Sequence, residues 1–142
     1  MKYYKNIRIS KANLKILENW AKECYPNEAP ALLIGNFDDE KEVAIVTDVY
    51  PMENIEKSPV SFQIDPEEYY KIYKIAEENG KHIIGVFHSH PMDPIPSGVD
   101  MPYLKLHRNI WVILSTTQKI DNIKAYQWYN EQVRPVKIEI FE

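Results

Sequence analysis

The segment GVFHSHPMDPIPSGVD, residues 85–100, places His88 and His90 at alternate positions and follows them with Ser97 and Asp100. In an extended strand alternate residues project from one face, so the two imidazoles point together and Ser89 points to the other side. Two imidazoles on one face at a strand end can share a metal ion. Pro91 cannot continue a hydrogen-bonded ladder and turns the chain out of the strand. The loop that follows is long enough to bring the Asp100 carboxylate back to the histidines. Two histidines, an aspartate and a water complete a tetrahedral zinc with one exchangeable position, the arrangement of catalytic rather than structural zinc. Such a zinc lowers the pKa of a coordinated water to about 7 and polarises a carbonyl.

The same residues carry a reading that needs no metal. A His-x-His pair arises easily by chance, and Ser97-Gly98-Val99-Asp100 has the spacing of a helix capping box. Pro102 weighs against that box, because it removes a backbone donor and disfavours helix at Met101. Spacing alone leaves both readings standing.

The elements that must hold these residues can be read on either side. Ser10 is expected to cap a first helix with Leu14, Leu17, Ala21 and Cys24 at helical spacing, ended by Pro26. ALLIGN (31–36) and EVAIVTDVY (42–50) read as strands joined by a hairpin turn at DDE. Residues 51–60, with Pro51 and Pro59, read as a loop, and SFQI (61–64) as a short strand. Asp65-Pro66-Glu67-Glu68 starts a second helix with Tyr69, Ile72, Tyr73 and Ala76 as its buried stripe and Asn79-Gly80 as its stop. HIIGVFHSH (82–90) is a continuous apolar run leading into the histidines, as expected of a central strand covered on both faces. A short helix near 98–107 and strands over 109–116, 123–130 and 136–141 complete an α/β fold, a mixed β-sheet flanked by helices.

At 142 residues, the chain is expected to be one domain, 1–142, large enough to bury a core without staples. A net charge of −4 gives no basic field, so nucleic acid is not an expected partner. Its single cysteine, Cys24, cannot form an internal disulfide, and MKYYKNIRIS has no apolar core segment of a signal peptide. No apolar run approaches the ~18–20 residues of a membrane span. Together these predict a cytoplasmic protein without a membrane partner.

The motif HSHPMDPIPSGVD resembles the His-x-His-Pro, then Ser-x-x-Asp, signature of the JAMM (MPN+) metalloproteases, zinc isopeptidases that cleave ubiquitin and ubiquitin-like tails from their targets. That family also places a glutamate just before an apolar strand, often as Pro-x-Glu-x-Cys-Gly-Leu-Leu, and PNEAPALLIG (26–35) matches with Glu28 in its place. The resemblance spans nearly the whole chain and implies a cytidine-deaminase-like architecture. It further implies zinc held by His88, His90 and Asp100. Glu28 then takes a proton from the attacking water and passes it to the leaving amine, while Ser97 supports the oxyanion. Two positions depart from the pattern: PMDPIP is one residue shorter than the usual spacing, and Pro30-Ala31 stand where Cys-Gly is usual.

The chain is therefore expected to be a stand-alone, prokaryotic-type metallopeptidase that cleaves after the C-terminal glycine of a ubiquitin-like or sulfur-carrier protein, or of its conjugates. The resemblance leaves room for a homodimer. A non-catalytic MPN scaffold that binds a partner is the alternative, separated by zinc content and hydrolysis. A zinc nucleoside deaminase fits less well, because the Pro-Cys-x-x-Cys half of that signature is absent. His82 and His107 have no partner spacing and read as surface or core residues. Asp93 reads as a turn former, Cys24 as part of a buried stripe, and the aromatics at 126–129 as packing.

Overall fold

A computed structural model describes residues 2–106 and 109–142. The expectation for His107 therefore lies outside the described residues. Seven strands and three helices follow in the order β1 (Asn6–Ser10), α1 (Lys11–Cys24), β2 (Ala31–Asp38), β3 (Val43–Pro51), α2 (Pro66–Glu78), β4 (His82–His90), α3 (Met101–Leu106), β5 (Ile110–Ser115), β6 (Ile123–Tyr129) and β7 (Gln132–Phe141). The sheet is mixed, with neighbours β1-β3-β2-β4-β5-β6-β7, and it closes into a barrel because β1 runs parallel to both β3 and β7. Among the described residues no helix is long and apolar enough to cross a membrane.

β4 lies inside this order, antiparallel to β2 and parallel to β5. Alternation divides its side chains between two cores. Phe87 joins the cluster that contains Leu17 and Ala21 of α1, Leu33 of β2 and Val112 of β5. Val86 joins the opposite cluster with Leu32, Ile34, Met52 and Ala76, over which Phe62, Ile64 and Ile72 pack. His88 and His90 follow Val86 on the α2 side, and Ser89 follows Phe87 on the α1 side. Burying a side chain such as Phe87 or Leu17 contributes about 1.5–3 kcal/mol each, so the strand that presents the histidines is anchored from both faces. Gly85 permits the close approach of β5: a Cβ there would meet the Ile110 carbonyl oxygen at 2.7 Å.

The helices begin where their caps require. Ser10 accepts the Asn13 N–H, Asp65 accepts the Glu67 N–H with Pro66 at the first helical position, and Gly80, at φ 67°, leaves α2. Four expectations are corrected. SFQI is not a strand: Asn54 takes the place of a ladder, accepting the Gln63 N–H and donating to the Ser61 carbonyl, while Phe62 and Ile64 pack beneath α2. Tyr69 and Tyr73 are exposed, because only Ile72 and Ala76 of the proposed stripe face the sheet. β1 was absent from the sequence reading, and the last strand begins at Gln132 rather than at 136. Pro102 does not prevent the turn at 98–100 or α3, because the carbonyl its missing N–H would have met belongs to exposed Gly98, open to water.

Candidate metal centre

Three chain segments deliver the four candidate residues. Glu28 sits between α1 and β2, His88 and His90 end β4, and Asp100 precedes α3. The two Nε2 atoms lie 3.0 Å apart, and Asp100 Oδ2 lies 3.2 Å from that of His88 and 3.1 Å from that of His90. Glu28 completes the group, with Oε1 4.0 Å from His88 Nε2 and Oε2 3.7 Å from His90 Nε2. All four residues are at most 3% exposed. Ligand atoms from the four lie within 4.8 Å of one another.

The two Nε2 atoms at 3.0 Å satisfy one another only if one of them carries a proton; as two lone pairs they call for a shared cation. Among the described residues neither buried Glu28 oxygen has a hydrogen-bond partner, and nor does buried His88 Nδ1. Burying acceptors without donors is costly unless a cation meets them. The donor set of two imidazole nitrogens and two carboxylates suits zinc or a similar divalent ion. His90 Nδ1 faces the Asp93 carbonyl at 3.4 Å, which favours the tautomer that leaves Nε2 as the lone-pair atom. Asp93 thus orients His90 through its backbone, a role the sequence reading gave only as turn formation.

The electrostatics agree. Burial pushes the Glu28 carboxyl from 4.5 up to about 8; His90 opposes this, and Asp100 and Glu56 add to it. Burial acts to raise Asp100 as well, but hydrogen bonds from His88 and His90 outweigh it and hold that carboxyl well below the usual range. Burial lowers His88, whereas at His90 the Asp100 and Glu28 carboxylates overcome burial and raise it. One site thus holds a carboxyl inclined to accept a proton and another fixed as an anion.

Ser97 stands at the rim. Its backbone N–H donates to Asp100 Oδ2 at 2.9 Å, and its Oγ accepts the Asp100 N–H at 3.1 Å. This reciprocal pair is a capping box, continued by the Met101 N–H bonding to the Ser97 carbonyl. The cap reading and the cluster reading are therefore both realised, through the same carboxylate. The hydroxyl oxygen faces inward to the Asp100 amide, which leaves its proton available to another acceptor. The shortened loop is tied down by Tyr126, whose hydroxyl donates to the Pro94 carbonyl at 3.1 Å.

Residues outside the motif complete the surroundings. Phe62 lies tilted against His88 with ring centres 4.8 Å apart, and Trp111 meets the same imidazole edge-on at 5.5 Å. A groove of about 580 Å³ is lined by Asp100, Tyr69 of α2, Tyr103 of α3 and Trp111 of β5. Trp111 and Asn109 line it, but Trp111 Nε1 and Asn109 Oδ1 are themselves buried and have no hydrogen-bond partner among the described residues. Nothing in the sequence marks Phe62, Asn109 or Trp111, since aromatic and amide residues at strand ends are ordinary core and turn material. His82 is exposed and far from the cluster in the strand, at the opposite end of β4. Cys24 is half-buried against the α1 core.

Residues 10–129 match the family described as prokaryotic homologs of the JAB domain. The chain is 27% identical over 122 residues to a desampylase of Haloferax volcanii, covering 84% of this chain and 86% of that one. It is 44% identical over 59 residues to a desampylase of Pyrococcus furiosus, covering 41% and 42% of the two chains. The solution structure of a protein from Desulfitobacterium hafniense superposes with a TM-score of 0.84 at 30% identity, covering 96% of this chain and 93% of that one. A JAB1/MPN domain protein from Archaeoglobus fulgidus shares the fold, with a TM-score of 0.60 at 23% identity over 96% of this chain and 99% of that one.

Proposed function

The chain belongs to the family of prokaryotic homologs of the JAB domain, and on that premise we propose that it is a zinc-dependent metallopeptidase. Its substrate would be the peptide or isopeptide bond after the C-terminal glycine of a ubiquitin-like or sulfur-carrier protein. The observation that carries this reading is the unpartnered, buried Glu28 carboxylate set against the converging His88, His90 and Asp100 atoms. A scaffold would have no reason to keep a carboxylate so costly to bury.

His88 and His90 through Nε2 and Asp100 through Oδ2 would hold the zinc. When bound, zinc supplies Lewis-acid polarisation of the scissile carbonyl and activation of a water. Glu28 serves as general base: a carboxyl raised by burial accepts a proton from the attacking water and retains it long enough to deliver it to the leaving amine. Glu28 would give that proton up more readily with a cation held opposite it by His88, His90 and Asp100. Ser97 donates its free hydroxyl proton to the developing oxyanion, its oxygen already oriented by the Asp100 amide. Asp100 remains an anion throughout, its Oδ2 fixed by the Ser97 N–H.

The groove from Tyr69 and Tyr103 to Asp100 supports an extended tail as the substrate. The relatives named desampylases support a ubiquitin-like modifier as the class of protein that carries the tail. A free Cys24 agrees with a cytoplasmic setting. The test is hydrolysis of a ubiquitin-like domain whose terminal Gly-Gly is amide-linked to aminocoumarin. Release that stops with chelator and returns with zinc is expected; release indifferent to chelator would refute the metal reading.

A further inference from the structure

Glu28 combines an untethered carboxylate with a tethered backbone. Its N–H donates to the Ser58 carbonyl at 2.8 Å, and its carbonyl accepts the Asn54 side-chain amide at 3.1 Å. The N–H of the next residue, Ala29, donates to Ser89 Oγ at 2.9 Å. Then the Pro30 carbonyl accepts both the Trp20 indole N–H and the Met52 N–H at 2.9 Å.

The Ser89 contact arises from the ladder. Pairing of β2 with β4 ends at Ala31 and Phe87. Pro30 has no N–H, so the ladder cannot pass through it. Ala29, two residues beyond the last pair, is fully buried and finds the Ser89 hydroxyl in place of a strand carbonyl. Ser89 itself is 1% exposed and lies on the face of β4 opposite the histidines, so it cannot touch substrate. One tripeptide of β4 therefore does two things: His88 and His90 face Glu28's carboxylate, while the serine between them holds the Glu28–Ala29 peptide.

We propose that Ser89 is a positioning residue for Glu28, with Asn54 as the second anchor. The proposal rests on the reading of Glu28 as the general base. A base must be held to within about 0.5 Å of its productive position, and a misplacement near 1 Å can cost about 10²-fold in rate. Removing the hydroxyl leaves the Ala29 N–H buried without a partner, and the chain relieves this by shifting the segment that carries Glu28.

The test is a double-mutant cycle on the full, zinc-loaded chain, with the Gly-Gly aminocoumarin probe, metal analysis and amide exchange at Ala29. Ser89→Ala is expected to lower kcat by about tenfold with KM and metal content unchanged, and to speed exchange of the Ala29 amide. In the Glu28→Gln background the same change should cost nothing further, since Ser89 acts only through Glu28. Ser89→Thr, which keeps the hydroxyl, should turn over faster than Ser89→Ala. An equal loss in both backgrounds, a rise in KM alone, unchanged Ala29 exchange, or a Thr variant no better than Ala would overturn the positioning role. Wild-type turnover by Glu28→Gln alone would instead overturn the assignment of the base.

Discussion

Asp100 Oδ2 stands 3.1 Å from His90 Nε2, and the same oxygen accepts the backbone N–H of Ser97 at 2.9 Å. A helix cap and a metal-type cluster thus share one atom. The cap fixes the carboxylate before any ion arrives, and it does so across a loop with prolines at 91, 94 and 96, which limits the conformations lost on ordering. At the end of that loop Ser97 and Asp100 make both bonds of the cap.

Ser97 has a structural and a chemical part to play, and they separate experimentally. Ser97→Ala removes a cap worth about 0.5–2 kcal/mol, so the melting temperature should fall by a few degrees. As an oxyanion donor its loss should also lower kcat by about 10²–10³, with metal content retained. Thermal melts and steady-state kinetics on the same preparation check both. A lower melting temperature with an unchanged rate would reduce Ser97 to a cap.

Metal-free protein should show a distinctive pH dependence. The Glu28 carboxyl is raised in the folded state from 4.5 to about 8, so the native chain binds more protons than the unfolded chain between those values. Its favourable contribution is whole below about 4.5 and is lost as pH rises through about 8. In chelator, Glu28→Gln should melt at a higher temperature than wild type at pH 8, and the gap should narrow toward pH 5. A gap independent of pH would mean that Glu28 is not the group that titrates.

Some of this organisation was legible in the residues and some was not. The strand 82–90, the caps at Ser10 and Asp65, and the convergence of His88, His90 and Asp100 follow from local rules: alternation, side-chain capping and the chain reversal at Pro91. β1 was missed because it is defined by pairing with β3 and β7, the latter some 130 residues away in sequence, as in Ile7 with Ile138. SFQI has the composition of a strand, yet Asn54 satisfies its backbone from nine residues away, and no periodicity announces such a hub. Glu28 became visible only through the family resemblance, since an isolated glutamate before a strand is ordinary surface. Its burial depends on contacts from the 54–58 loop and β4 that only the folded chain brings together.

The groove makes its own prediction. Trp111→Phe keeps the ring against His88 and Phe62 but deletes the unpaired Nε1 donor. Because Nε1 is sealed from solvent as well as unpaired, kcat and KM for the Gly-Gly probe and the metal content should all stay close to wild type. A fall in kcat at constant KM would place Trp111 among the supports of His88 instead.

The account stands most directly on the metal. Elemental analysis of protein purified without added metal, beside His88→Ala and Asp100→Asn prepared in parallel, should find one zinc per wild-type chain and far less in either variant. Wild-type protein that carries no zinc and takes up none on titration, or variants that hold it as fully as wild type, would contradict the central claim.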